Sequence, residues 1–99
     1  MDITTILSMP NVSIIDVREP YEFAMGNIEN AINIPLQQIP SKAEELNKLN
    51  GPTVFYCMSG NRSGQAVAYL ESLGLNNIYN GGGIYEMQMH MESLTSSKS

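Results

Sequence analysis

The twelve residues from Thr53 to Gly64, TVFYCMSGNRSG, constrain this chain more than any other stretch. They open as a β-rich apolar run and reach Cys57, the single cysteine among 99 residues. Arg62, one of two arginines, follows five positions later, and from Ser63 onward the pattern turns helical. A buried strand therefore delivers a thiol to its own C-terminal end, a short loop follows, and a helix begins. Open α/β sheets place their ligand sites in the crevice outside the carboxyl ends of the strands. A helix N-terminus at that place adds unpaired N–H groups and partial positive charge. Both favour a thiolate or a bound anion, so the stretch reads as a reactive-cysteine loop.

The flanking sequence alternates short strands with helical patterns. Asp2 to Met9 suits a short helix with Asp2 as N-cap and Ile3, Ile6 and Leu7 inward. Val12–Val17 reads as a buried strand, Pro20 as a first helical position, and Gly26-Asn27 as the stop of that short helix. Ala31–Ile34 is a second strand. Ser41 and Glu44 form a capping-box pattern for a helix reaching about Asn50. After the loop, Ala66, Val67, Leu70 and Leu73 lie at helical spacing ahead of a stop at Gly74. Asn77–Asn80 is a last strand, Gly81-Gly82-Gly83 a turn, and Ile84, Met87, Met91 and Leu94 the inward stripe of a final helix. Thr95–Ser99 reads as a frayed tail. The alternation predicts an α/β fold in one domain over residues 1–99, with a mainly parallel sheet and helices on both faces. The link from Val17 to Ala31 is short for a parallel crossover and leaves the strand order open.

Composition narrows the function. A chain this long supports one domain, and 42% hydrophobic with 15% charged residues is typical of a folded soluble protein. A net charge of −5 argues against a nucleic-acid or anionic-membrane surface, and any anionic substrate needs a local positive site. A lone cysteine cannot form an internal disulfide. With no basic, apolar leader pattern at Met1–Thr4 and no apolar run of membrane-spanning length, the expected location is the cytoplasm.

Four motifs in order then resemble one family. They are Asp16-Val17-Arg18-Glu19-Pro20-Tyr21-Glu22-Phe23; Gly26-Asn27-Ile28 with Ala31–Pro35; the loop Cys57–Ser63; and the Gly82-Gly83 turn. Over about residues 12–90 the chain is similar to single-domain rhodaneses, the thiosulfate sulfurtransferases. Asn27 stands where many members have histidine, and Met87 where a tryptophan commonly follows the double glycine. The resemblance implies that Cys57 takes a sulfane sulfur from thiosulfate or a related donor as a persulfide. It then passes that sulfur to cyanide, a thiol or a protein cysteine, with no cofactor, metal, nucleic acid or membrane involved.

The residues support this chemistry on their own terms. Only a thiolate is nucleophilic, and a free thiol titrates near ~8.5, so a competent site must lower that value. Backbone N–H groups around Cys57, the dipole of the helix near Ser63 and the Arg62 guanidinium all act in that direction. Gly60 lets the loop curl through positive φ. Met58, Ser59 and Asn61 contribute chiefly backbone donors, and Ser63 either caps the helix or bonds the sulfur. Asp16 and Arg18 read as a structural pair bracing the first loop. His90, the one histidine, lies on the last helix outside every motif. Two other readings stay open. One is a persulfide carrier or partner-binding module. The other is a Cys-dependent phosphatase or arsenate reductase, which ordinarily uses Cys-x5-Arg, whereas this chain has Cys57-x4-Arg62 and a smaller ring of N–H groups.

Overall fold

Alternation along two strands sorts the core into two halves. The structure, a computed structural model, describes residues 2–96. Strand β1 (Ser13–Asp16) sends Ile14 to one face and Ile15 to the other. Strand β3 (Thr53–Cys57) sends Val54 and Tyr56 to the first face, and Phe55 and Cys57 to the second. Every residue of β3 is buried, as a central parallel strand covered on both faces requires. With β2 (Ile32–Asn33) and β4 (Ile78–Gly83) they form one four-stranded sheet in the order β2-β1-β3-β4, parallel at every pairing.

Helices α1 (Ile3–Leu7) and α5 (Ile84–Ser96) cover the Val54–Tyr56 face with Ile6, Leu7, Ile84 and Met87. Helices α3 (Ile39–Asn47) and α4 (Asn61–Ser72) cover the other with Ile39, Leu46, Ala66 and Leu70. The expected apolar stripes carry these contacts: Met91 and Leu94 pack beside Ile84 and Met87. Asp2 caps α1, its Oδ1 accepting from the Thr5 N–H at 2.8 Å. The short link between β1 and β2 is a right-sized crossover because α2 (Pro20–Met25) has only six residues and β2 only two.

Four local expectations change. Helix α3 starts at Ile39, straight after a 3-10 turn (Leu36–Gln38), so Ser41 lies inside its first turn and donates to the Gln38 carbonyl at 2.8 Å. The reciprocal bond predicted there occurs on α2 instead, where the Glu19 N–H donates to Glu22 Oε1 at 2.9 Å. Gly81–Gly83 are not a turn but the end of β4, pairing with β3 through a register shift in which Phe55 faces Asn80 and Tyr56 faces Gly82. Helix α4 begins at Asn61, two residues before Ser63, and α5 continues to Ser96. The remainder of the expected tail, Ser97–Ser99, lies outside the described residues. Among the described residues no helix is long and apolar enough to cross a membrane.

Candidate active site

Cys57 is the last residue of β3, and its side chain is fully buried, enclosed by the loop that follows it. That loop curls because Gly60 adopts φ +95°, a left-handed conformation that a side chain disfavours. A Cβ there would also meet the Gly82 Cα at 3.2 Å. Gly60 is thereby the N-cap of α4 and has no side chain to receive the free N–H groups of the first turn. The cysteine sulfur takes that place. Cys57 Sγ accepts from the Gly60 N–H at 3.0 Å and the Ser63 N–H at 3.4 Å, with Ser63 Oγ at 3.5 Å. Burial pushes the thiol up, but the Ser63 hydroxyl and the N–H groups of Ser63, Ser59 and Gly60 outweigh it, so Cys57 titrates below its ordinary value.

The last strand holds this cradle in place. Asn80 Nδ2 donates to the Gly60 carbonyl at 3.0 Å, while its Oδ1 accepts from Ser63 Oγ at 2.7 Å and the Gly82 N–H at 3.0 Å. Those backbone partners fix which way the amide points. Gly83 passes so close to the loop that a Cβ there would run into the Met58 carbonyl oxygen. Met58, Ser59 and Asn61 face outward, as donors of backbone rather than of side-chain chemistry would.

Arg62 is placed beside the loop with its guanidinium paired to a carboxylate. Its Nη1 and Nη2 donate to Glu22 Oε1 at 2.8 Å and Oε2 at 3.1 Å, a two-point bond to α2. The guanidinium holds the Glu22 carboxyl far below the usual range, down to about 2. Asp16 and Arg18 form the expected pair: Arg18 Nη2 lies 2.7 Å from Asp16 Oδ2 and 2.6 Å from the Gly26 carbonyl, both residues being buried. Burial opposes the Arg18 charge, yet its pKa is raised because Asp16 outweighs that cost. Arg18 also sits over the Tyr56 ring, 5.8 Å from its centre. His90 is remote from Cys57, bonded through Nδ1 to Thr4 Oγ1 at 2.9 Å. Among the described residues no group of three or more His, Cys, Asp or Glu is placed to hold a metal ion.

Beside the loop lies a cleft of about 300 Å³, lined by Glu22, Met25, Met58, Ile84, Tyr85 and Gln88 among others. Two residues of this neighbourhood escaped sequence reading, Glu22 and Asn80. Glu22 stands within a matched motif, but its partner lies 40 positions away; Asn80 carries no signal beyond preceding three glycines.

Residues 2–90 match the family described as "Rhodanese-like domain". The chain belongs to the rhodanese-like family. This rhodanese-like domain is 40% identical over 81 residues to a protein named "Sulfurtransferase" from Allochromatium vinosum, covering 81% of the chain and 75% of that protein. It is 34% identical to the thiosulfate sulfurtransferase PspE of Escherichia coli, covering 76% of the chain and 73% of PspE. Some other relatives are longer, and the chain spans from 52% down to 26% of their length. Among solved structures, a rhodanese with anions from E. coli superposes with a TM-score of 0.69 at 33% identity, covering 76% of this chain and 89% of that one. The four-stranded parallel sheet with its helices is thus the rhodanese fold, and the family includes proteins that transfer sulfur between a donor and an acceptor.

Proposed function

We propose that this rhodanese-like domain is a sulfurtransferase that carries sulfane sulfur as a persulfide on Cys57. The observation that carries the reading is the cradle in which two N–H groups and the Ser63 hydroxyl surround one strand-end sulfur. In the first half-reaction the Cys57 thiolate attacks the outer sulfur of a donor such as thiosulfate. A sulfur–sulfur bond forms to Cys57, the donor's own sulfur–sulfur bond breaks, and sulfite leaves with the bonding electrons. In the second, cyanide, a thiolate or a protein cysteine attacks the outer sulfur, and the Cys57 thiolate is released. The N–H groups stabilise the anionic sulfur at both ends of the cycle. No cofactor is needed beyond the covalent intermediate, and the reduced thiol suits a reducing compartment such as the cytoplasm.

The short Cys57-x4-Arg62 spacing favours sulfur over phosphate ester chemistry, because a smaller ring of donors suits a single sulfur atom. Intact-protein mass after exposure to thiosulfate is the test. The wild-type chain should gain one sulfur atom and lose it to cyanide, while Cys57→Ser gains none. A sulfur adduct or turnover surviving in folded Cys57→Ser would refute the mechanism, and aryl phosphate hydrolysis without sulfur loading would move the protein to phosphatase chemistry.

A further inference from the structure

The positive charges around the cradle are outweighed. Arg18 and Arg62 are the only arginines of the chain. Arg18 is bound by Asp16 and Arg62 by Glu22, each through more than one hydrogen bond. Glu22 is itself held in place, since Oε1 also accepts the Glu19 N–H that opens α2. A third carboxylate, Glu86, lies at the edge of the loop and accepts the Gly83 N–H at 2.9 Å. Two positive charges thus face three negative ones, within a chain of net charge −5. Among the described residues the lysines do not restore the balance: Lys42 lies 3.8 Å from Glu45 on α3, and Lys48 ends that helix just before β3 begins, at the far end of the strand from Cys57. Against this, the adjoining cleft is edged by apolar side chains that remain in water, Met25 at 86%, Tyr85 at 68% and Met58 at 43% exposure.

On the sulfurtransferase reading above, we propose that Glu22 is a specificity-determining residue. By cancelling the charge of Arg62, it turns the site away from dianionic donors such as thiosulfate and towards sulfane donors of lower charge with an apolar body. That body lies in the cleft against Met25, Met58 and Tyr85. The chemistry at sulfur is unchanged. The Cys57 thiolate attacks the outer sulfur, the new sulfur–sulfur bond forms as the donor's breaks, and the donor's remaining part leaves with the electron pair. Glu22 touches neither the sulfur nor the leaving group; it acts through Arg62.

The probes are thiosulfate, a dianion, and benzenethiosulfonate, a monoanion with the same reactive bond and an aromatic ring, which releases benzenesulfinate. Single-turnover loading of Cys57 is followed by intact mass at low and high ionic strength, with each rate divided by that of the same donor with free cysteine. For the wild type, normalised loading should favour benzenethiosulfonate, and the thiosulfate rate should rise with salt as repulsion is screened. In Glu22→Gln, uncovering one positive charge beside the sulfur should raise thiosulfate loading about tenfold at low ionic strength and flatten its rise with salt, while benzenethiosulfonate changes by less than about threefold. A purely structural role for Glu22 would slow both donors alike and leave the salt dependence unaltered; that outcome, in a variant whose melt shows it folded, overturns the proposal. So does a wild-type thiosulfate rate that falls with salt, a result that needs no variant at all. Loading by neither donor would instead remove the sulfurtransferase reading, and this inference with it.

Discussion

Ser63 has one hydroxyl proton and two acceptors within reach, Asn80 Oδ1 at 2.7 Å and Cys57 Sγ at 3.5 Å. At rest the shorter contact holds the proton, and a thiolate competes for it. Ser63→Ala should therefore raise the Cys57 pKa, read by the ultraviolet absorbance of the thiolate during a pH titration. Loss of one hydrogen bond to a charged group, about 1.5 kcal/mol, corresponds to roughly a tenfold fall in kcat/KM for sulfur transfer. An unshifted titration would show that the backbone N–H groups alone set the thiol. At this scale the sequence was legible wherever chemistry and spacing are local. Cys57, Gly60 and Ser63 announce themselves because a thiol, a flexible residue and a helix start fall within seven positions. Arg62 was legible as part of the loop, but its partner was not, since nothing in a linear pattern tells which of ten acidic residues folds back against it. The pairing replaces the expected free guanidinium with a compensated one.

Helix α2 is joined to the start of α4 through the Glu22–Arg62 bond. Because the Glu22 carboxyl is held at about 2 when folded and returns to its ordinary 4.5 when unfolded, the bond contributes stability above pH 4.5. That contribution is lost as pH falls from 4.5 through about 2, and for a partly exposed pair it is of the order of 1 kcal/mol. Urea unfolding across this window should show the loss in the wild type and a flatter profile in Glu22→Gln; parallel profiles would show that the pair contributes nothing to stability. Elements were legible in proportion to their apolar content. Strand β3 has the bounds its sequence suggests, because five consecutive buried side chains leave no ambiguity. Gly81–Gly83 misled because glycines display no alternation, and only pairing with β3 reveals them as strand. The Ser41 pattern misled because a preceding 3-10 turn and Pro40 had already started the helix.

Across the whole molecule, Tyr56 links the central strand to the crossover on its flank. Its hydroxyl accepts the buried Ile28 N–H at 3.0 Å, and burial pushes the phenol well above its ordinary pKa. Tyr56→Phe strands that N–H, which should cost about 1–3 kcal/mol. For a domain of this size each kcal/mol lowers Tm by roughly 4–8 °C, so a scanning-calorimetry midpoint equal to wild type would disprove the linkage. The division into two helical layers was legible from the alternation of strands and helices along the chain. The strand order was not, because it depends on which buried edges meet across long separations in the chain. The enclosure of Cys57 has one more consequence. The chain holds a single thiol, and it has no exposed surface in the folded state. Any reagent, sulfur donor or label alike, reaches it only when the loop over the sulfur parts, so the rate of labelling by a neutral thiol reagent measures how often that opening occurs. The molecule carries, without any engineering, a built-in chemical clock for its own opening.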